Sequence, residues 1–241
     1  IVGGGPAGLL CAIMLARLGW KNIKVLERCS EPPPPLSASW GNPDRSYNLG
    51  IGSRGQCALK RLGAWDEVEA CTAPVVGRKD WRPDGTVSER VFPPSRRPAT
   101  KVLQRDRLSS CLFQHVRTRY ADRVEVLFEA ECETVLAWPG EGSSTGEGGS
   151  IGRLAVRLGG PKSGELVELA TDFIVGADGV KSAVRDAMEA DSSGMRAASG
   201  RALRVARYKD SNVRVYRTVL LRLPGGGKWR GQYLSPVSVR Q

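Results

Sequence analysis

The stretch Ile1-Val2-Gly3-Gly4-Gly5-Pro6-Ala7-Gly8 opens the chain and decides its fold. Its glycines at positions 3, 5 and 8 have the spacing Gly-x-Gly-x-x-Gly. Gly3 permits a tight turn, Gly5 leaves bare backbone for a pyrophosphate, and Gly8 lets the following helix pack closely on the strand. The free N–H groups at the start of that helix favour a phosphate. The stretch therefore predicts a strand, a glycine turn and a helix that together bind a dinucleotide.

The next residues complete a strand–helix–strand unit. Residues 9–18 are mostly apolar and end at Gly19, which predicts a helix, and residues 22–26 predict a strand. That strand leads to Glu27, nineteen residues after Gly8, where an acid that binds a ribose belongs. In the alternative interpretation the glycines serve only packing. The agreement of strand, turn, helix and acid favours dinucleotide binding.

The charge balance is strongly basic, with a formal net charge of +11 from 36 Lys and Arg against 25 Asp and Glu. Such a balance is typical of proteins that bind nucleic acid, an anionic membrane surface or an acidic cofactor. Here the charges are scattered, and the Arg-rich residues 96–97 and 201–217 lack the interleaved aromatic residues of a nucleic-acid platform. We therefore expect a solvated basic surface and no nucleic-acid partner.

The six cysteines, at positions 11, 29, 57, 71, 111 and 132, show neither Cys-x-x-Cys pairs nor the density of a disulfide scaffold. We expect reduced thiols in an intracellular, reducing compartment, and no metal site.

No run of about eighteen apolar residues is present, so we expect membrane association only through residues outside this sequence. The missing initiating Met and the short first strand lead us to expect a fragment.

Three further elements are predicted in the first half of the chain. Ser53 is expected to cap a helix that extends to about residue 62. Residues 74–92 predict a hairpin that reverses at Pro83-Asp84-Gly85. A further helix is predicted to begin at Gln104 or Asp106 and to extend to about Tyr120. Its apolar face is expected to consist of Leu108, Leu112, Phe113 and Val116.

The second half predicts a return to the core. Strands are predicted at residues 124–128, 134–138, 154–158 and 166–169, with a disordered insertion at 139–150. Residues 172–179 predict a strand that leads into a second glycine turn at Asp178-Gly179, followed by a helix capped by Ser182. The whole pattern predicts an α/β fold, with a Rossmann-type domain at 1–73 and 101–189 and an incomplete β-rich lobe at 74–100 and 190–241.

The residues offer no catalytic constellation of their own. The single histidine, His115, lies in mid-helix without a carboxylate or cysteine at ligand spacing, and we expect it at the surface or its boundary. A cofactor must therefore supply the reactivity.

Three stretches of the chain resemble the flavin-dependent aromatic hydroxylases, which are single-component monooxygenases that use FAD and a nicotinamide coenzyme. They are residues 3–8 with Glu27-Arg28, residues 104–108, and residues 176–185, and the third is the most specific. Within that family, residues 45–49 and 53–55 are most similar to the kynurenine 3-monooxygenases. The resemblance covers about residues 1–189 and implies an FAD-binding domain.

The resemblance also implies a reaction and a set of cofactor contacts. NADPH would reduce FAD as a co-substrate, O2 would add at the flavin C4a position, and the hydroperoxide would hydroxylate a small aromatic substrate. The implied cofactor-binding residues are Gly3, Gly5, Ala7, Gly8, Glu27, Arg28, Gly50, Arg105, Cys132, Asp178 and Gly179. Among them, Glu27 would accept the adenosine ribose hydroxyls, and the Asp178 turn would serve FAD and NADPH together.

Two residues of the predicted hairpin are implied to contact the substrate. Arg78 matches the arginine that the kynurenine hydroxylases place over the substrate, and its planar fork suits a carboxylate. Phe92 takes the place of a tyrosine, which keeps an aromatic wall and loses a hydroxyl. The alternative for Arg78 is an exposed strand residue with a solvated head.

Other functions remain open at this point. One alternative is another FAD-dependent oxidoreductase, such as a prenyl-lipid reductase, and another is a non-catalytic FAD-binding protein. The Asp178-Gly179 motif favours the hydroxylase. The family's later Gly-Asp segment has no counterpart before Gln241, so we expect weak retention of FAD by this chain alone. By resemblance, the compartment is the cytoplasm or the mitochondrial outer membrane.

Overall fold

The computed structural model describes residues 1–37, 40, 47–82, 84–93, 99–138, 151–159, 163–191 and 203–209. The predicted insertion at 139–150 and most of the predicted lobe at 190–241 lie outside these residues. The helices are α1 (Pro6–Arg17), α2 (Ser53–Arg61), α3 (Trp65–Glu69), α4 (Arg105–Arg119) and α5 (Ala183–Ala190). The strands are β1 (Ile23–Leu26), β2 (Asn48–Ile51), β3 (Ala73–Pro74), β4 (Gly77–Trp81), β5 (Val87–Val91), β6 (Lys101–Gln104), β7 (Val124–Leu127), β8 (Ala130–Ala137), β9 (Gly152–Leu158) and β10 (Leu166–Thr171).

The chain forms two compact units. The first contains Ile1–Pro32 and Leu112–Asp210, and the second contains Pro33–Cys111. These units group residues by spatial proximity, so the two-lobe assignment made from the sequence stays a prediction.

A parallel sheet organises the first unit. Strand β1 pairs in parallel with β7, in the register Ile23 to Val124. Val2 forms parallel bridges with Leu26 on one side and Gly176 on the other. Helix α1 connects Val2 to β1 by the predicted crossover, and its buried face includes apolar side chains such as Leu9 and Ile13. The predicted α/β fold with a parallel sheet is therefore confirmed.

An antiparallel sheet of three strands, in the order β10-β9-β8, belongs to the same unit. Its register pairs Leu154 with Leu169 and with Val135, so the strands predicted around residues 134–138, 154–158 and 166–169 are present. One hydrophobic core joins this sheet to the parallel strands and to helix α5. The buried members of that core are Val2, Leu26, Ala130, Cys132, Leu154, Val156 and Val184.

The second unit is built on a small antiparallel sheet in the order β2-β6-β3, with a separate hairpin of β4 and β5. The hairpin reverses where the sequence predicts it, with the Arg82 N–H donating to the Thr86 carbonyl at 2.9 Å. The buried Gln56 side chain of α2 donates to the carbonyls of Ile51 and Ala99 at 2.9 and 2.8 Å, which ties the helix to the sheet.

Helix α4 anchors the proline-rich loop that follows β1. The Ser110 hydroxyl donates to the Pro33 carbonyl at 2.6 Å, and the Arg107 Nε donates to the Pro35 carbonyl at 2.7 Å. Proline has no N–H with which to join a ladder, and here side-chain donors satisfy the carbonyls of Pro33 and Pro35. The predicted loop is therefore held by specific contacts.

Three predictions about local structure are wrong. Helix α2 is capped by Gly52, and Ser53 is its first residue. His115 is buried, with 2 % of its surface exposed. The buried face of α4 follows the helical period through Leu108, Cys111, Leu112, His115 and Val116, so geometry places the histidine inward despite its polar ring.

The third correction concerns residues 172–175, where no strand is assigned. The segment makes a single parallel bridge, between Gly176 and Val2. Two backbone hydrogen bonds hold the bridge: the Val2 N–H donates to the Val175 carbonyl at 2.8 Å, and the Ala177 N–H donates to the Val2 carbonyl at 2.7 Å.

Candidate functional site

The glycine turn lies between Val2 and helix α1. Gly3 has φ +102°, a conformation that side chains disfavour, and its N–H donates to the Leu26 carbonyl at 2.8 Å. A Cβ atom on Gly3 would lie 2.4 Å from the Ala177 carbonyl oxygen, and one on Gly8 would lie 1.9 Å from the Gly3 carbonyl oxygen. Both positions therefore need glycine, which agrees with the turn and packing roles inferred from the sequence.

The start of α1 is open to an anion. Gly5 is the N-cap, Pro6 is the first helical residue, and no side chain caps the helix or places an acid in its first turn. Ala7 is exposed there. The amides of a helix's first turn have no intrahelical acceptor, so those of Ala7 and Gly8 are suited to phosphate oxygens.

Glu27 stands at the end of β1, beside the glycine turn. Its Oε2 accepts the Gly4 N–H at 2.8 Å, and its Oε1 accepts the Cys29 N–H at 2.9 Å. Each carboxylate oxygen keeps a second lone pair for a ligand hydroxyl. The next residue, Arg28, is exposed and lies 3.8 Å from the Glu131 carboxylate.

Gly4 contacts Glu27, a partner that the sequence interpretation missed. A Cβ atom on it would lie 2.8 Å from the Glu27 Cβ, so a bare backbone lets the acid approach its N–H. The third glycine in the run was the available signal. The partner, twenty-three residues away in the chain, could not be assigned from spacing alone.

The second glycine turn lies against the first, because a Cβ atom on Gly3 would also come within 2.9 Å of the Asp178 Cα. Gly179 has φ +78°. The Ser182 hydroxyl donates to Asp178 Oδ1 at 2.7 Å, and the Val184 N–H donates to Asp178 Oδ2 at 3.3 Å. The Asp178 carboxylate is thus held in one orientation at the start of α5.

Ser182 caps α5 as predicted, since its Oγ accepts the Arg185 N–H at 3.0 Å. The Arg185 Nη1 also donates to the Val180 carbonyl at 2.8 Å. Side chains therefore fix both ends of the turn that contains Asp178 and Gly179.

Cys132 lies in β8 and is buried in the hydrophobic core. Burial raises the pKa of its thiol to about 11, and the negative charge of Asp178 acts in the same direction. Its sulfur donates to the Thr134 carbonyl at 3.7 Å. The thiol packs in the core, and the predicted adenine contact through the backbone stays a prediction.

The other two predicted cofactor residues belong to the second unit. Gly50 lies in β2 opposite Val102 of β6, and a Cβ atom on it would lie 3.2 Å from the Thr100 methyl group. Arg105 is the first residue of α4, and its N–H donates to the Tyr47 carbonyl at 3.0 Å.

The predicted substrate residues share one face of the hairpin. Arg78 pairs with Arg90 across the strands, and the Phe92 N–H donates to the Val76 carbonyl at 2.8 Å, which continues the same register. Alternate residues of a strand point to one face, so Arg78 and Phe92 lie on the same side. The Arg78 Nε donates to Asp80 Oδ1 at 2.7 Å, and 59 % of the Arg78 side chain is exposed.

Metal-binding and membrane-spanning features are both absent from the described part of the chain. No group of three or more His, Cys, Asp or Glu residues there could hold a metal ion. No helix among the same residues is long and apolar enough to cross a membrane.

Comparison with known proteins matched residues 1–216 to a family model described as FAD binding domain. Kynurenine 3-monooxygenase from Salinispora arenicola is 32% identical over 189 residues, which are 78% of this chain and 37% of that protein. The 6-hydroxy-3-succinoylpyridine 3-monooxygenase from Pseudomonas putida is 32% identical over 200 residues, with 77% and 42% covered. The chain thus spans less than half the length of these relatives.

Solved structures show the same similarity. A tetrameric form of 2-methyl-3-hydroxypyridine-5-carboxylic acid oxygenase matches with a TM-score of 0.52 and 30% identity, over 78% of this chain and 40% of that one. The flavin-dependent monooxygenase PieE, in complex with FAD and substrate, matches with a TM-score of 0.58 and 21% identity, over 78% and 31%. The second likeness concerns the fold alone.

Proposed function

The chain belongs to the FAD binding domain family of flavin-dependent monooxygenases, and on that premise we propose that the protein hydroxylates a small aromatic substrate with O2. The observation that carries the proposal is the contact between two glycine turns, one beside Glu27 and the other holding Asp178. The first is suited to the FAD dinucleotide. The second matches the motif that, in this family, is implied to serve FAD and NADPH together.

The residues present fit FAD. The uncapped start of α1 offers amides to the pyrophosphate, and the Glu27 carboxylate offers lone pairs to the adenosine ribose. Gly3 and Gly8 keep side chains out of the turn. The Asp178 turn adds a fixed carboxylate beside the first turn.

FAD and the protein would have different roles in the reaction, because side chains cannot supply its redox chemistry. When bound, FAD would take a hydride from NADPH and then activate O2 at its C4a position, which is chemistry that no side chain supplies. The protein would bind the dinucleotide, orient the ring of the substrate and exclude water. Asp178, held by Ser182 and the Val184 amide, would present a constant geometry to the incoming coenzyme.

We propose that the substrate is an aromatic compound with a carboxylate. Kynurenine is the first compound to assay. The relatives' names include kynurenine, a succinoylpyridine and a pyridinecarboxylic acid, which are aromatic acids. Arg78 offers a guanidinium for the acid group, and Phe92 on the same face offers an aromatic surface. A missing tyrosine hydroxyl would lower the affinity for kynurenine by about tenfold to a hundredfold.

A reducing, intracellular compartment is part of the proposal, whether cytoplasm or mitochondrial outer membrane. It is supported by the six cysteines, all of which have free thiols.

Titration of the purified chain with FAD tests the cofactor site. Glu27→Ala should weaken FAD binding by about tenfold to a hundredfold, because hydrogen bonds from the ribose to a charged acceptor are lost. The matched control is Glu168→Ala, which removes an exposed acid that pairs with Arg153 at 3.5 Å, away from every predicted cofactor residue. If the two variants bind FAD with equal affinity, Glu27 does not contact the cofactor.

The reaction itself is tested by the ratio of hydroxylated product to NADPH oxidised, with FAD and O2 present. A monooxygenase gives a ratio near one with its substrate. Oxidation of NADPH without oxygen insertion would favour the reductase alternative, and absence of NADPH oxidation with FAD bound would favour the non-catalytic binding protein.

A further inference from the structure

One face of the hairpin β4–β5 collects two guanidinium groups and a carboxylate. The register pairs Arg78 with Arg90 and Asp80 with Ser88, so these four side chains project to the same face. The opposite face carries Lys79 and Glu89, whose charged groups lie 3.8 Å apart. We name the face of Arg78, Asp80 and Arg90 the clamp face.

Asp80 holds Arg78 by one end of its guanidinium. Both carboxylate oxygens of Asp80 lie 2.7 Å from the Arg78 Nε. No hydrogen bond from the terminal Nη1 and Nη2 groups to another residue is present in the described part of the chain, so the edge that these two groups form stays available to a ligand. That is the edge with which arginine binds a carboxylate bidentately.

Arg90 is the second cation. Two like charges directly opposite each other on an antiparallel pair are destabilising. No ion pair of Arg90 is present among the residues that the structure describes, and Asp80 is engaged with Arg78. The three groups together carry a net charge of +1, which one carboxylate would neutralise.

We propose that Asp80 is the positioning residue for Arg78 and that Arg90 is a second cation for the carboxylate that Arg78 binds. The inference rests on the proposed function and adds Asp80 and Arg90 to it. The Phe92 ring, two residues beyond Arg90 on the same face, supplies the surface against which the aromatic ring packs.

The role of Arg90 is tested with benzoate as the probe, because it is an aromatic carboxylate that does not presuppose the substrate. Binding to the purified chain is followed by the NMR shift of the arginine Nε–H signals. Arg90→Met should weaken benzoate binding roughly fivefold, the limit for an exposed charge pair. Lys79→Met removes the same charge from the opposite face of the same hairpin and should change the affinity by less than about twofold. The inference would be wrong if the two substitutions changed the benzoate affinity equally, or if the unsubstituted chain did not bind benzoate.

The role of Asp80 is isolated by two variants of equal charge. Asp80→Asn keeps an acceptor for the Arg78 Nε, whereas Asp80→Ala removes it. If Asp80 positions Arg78, the Asn variant should bind benzoate about threefold more tightly than the Ala variant. An Ala variant that binds as tightly as the Asn variant, or more tightly, would overturn the positioning role.

A second arm separates this inference from the proposed function. The FAD-loaded chain is titrated with L-kynurenine and with kynuramine, which lacks the carboxylate. Arg90→Met should weaken the binding of L-kynurenine and leave the binding of kynuramine unchanged, because only L-kynurenine has a carboxylate. If benzoate binds in an Arg90-dependent way but L-kynurenine does not bind, the inference about the clamp face stands. Kynurenine is then excluded as the substrate in the proposed function.

Discussion

The two candidate sites differ in what holds them. The glycine turns of the first unit are fixed by backbone amides and by side chains such as Ser182, which is 8 % exposed. The clamp face of the second unit lies on a hairpin whose two strands pair through their backbones, and its side chains are open to solvent, with 59 % of the Arg78 side chain exposed. Substitutions in the first site should therefore change stability and function together. Substitutions in the second should change ligand binding with little effect on stability.

The largest effect is expected at Gly8. A Cβ atom there would lie 1.9 Å from the Gly3 carbonyl oxygen, and this backbone atom cannot move without displacing the glycine turn. Gly8→Ala should lower the free energy of unfolding by more than about 3 kcal/mol. Urea denaturation followed by circular dichroism measures the change.

The matched control for Gly8 is Gly52→Ala. Gly52 has φ −81° and nothing within 4 Å of an added Cβ, so only its role as N-cap of α2 is affected. The expected loss is about 1 kcal/mol or less. Similar losses for both variants would mean that the first site is no more tightly constrained than an open surface position.

Stability should fall at alkaline pH because of the Cys132 thiol, which is buried in the hydrophobic core. The pKa of the Cys132 thiol is raised to about 11, chiefly by burial, so the folded state binds a proton that the unfolded state releases near pH 9. Stability from this group is complete below about pH 9 and is lost as the pH rises towards 11, by roughly 2 to 3 kcal/mol.

The contribution of Cys132 is the difference between the pH profiles of the unsubstituted chain and Cys132→Ala. The variant is less stable at neutral pH because a buried sulfur is removed, and its stability should fall less steeply between about pH 9 and 11. Parallel profiles would show that Cys132 keeps an ordinary pKa.

Asp178 offers a test that separates stability from function. Asp178→Ala and Ser182→Ala each remove part of the cap of α5, and each should cost about 1 kcal/mol. If the Asp178 carboxylate also serves the coenzyme, its loss should slow NADPH-driven flavin reduction several-fold more than the loss of Ser182 does. Stopped-flow absorbance of the flavin measures the rate. Equal rates in the two variants would leave Asp178 with the capping role alone.

Local patterns in the sequence predicted the glycine turn and the helix cap of the first site. The glycine spacing that predicts the turn at Gly3 and the serine that predicts the cap of α5 are local signals, and both elements are present. The contact between Gly4 and Glu27 joins residues far apart in the chain, so spacing could not reveal it. His115 was misplaced because its polar ring was weighed above the helical period, which places it on the buried face.

The clamp face could be predicted only in part. The hairpin and the implied role of Arg78 came from the sequence, since the turn residues Pro83-Asp84-Gly85 are local signals. The opposition of Arg78 and Arg90 required the register, and a shift of one residue would have placed Arg90 on the other face. Sequence patterns seldom determine register in a strand without an apolar face.

The smallest effect on stability, and the sharpest functional one, is expected for Arg78→Met. The ion pair that the substitution removes, Arg78 with Asp80, is exposed, so the free energy of unfolding should change by less than about 1 kcal/mol. The Michaelis constants of carboxylate substrates should rise roughly tenfold, because bidentate hydrogen bonds to a charged group are lost, while kcat changes little. Steady-state assays with L-kynurenine, and with an aromatic acid that lacks the amino group, distinguish the two parameters. Because the Arg78 side chain is exposed and its strand is held by the backbone ladder with β5, a variant that keeps its stability and every Michaelis constant would show that Arg78 is an exposed strand residue with a solvated head.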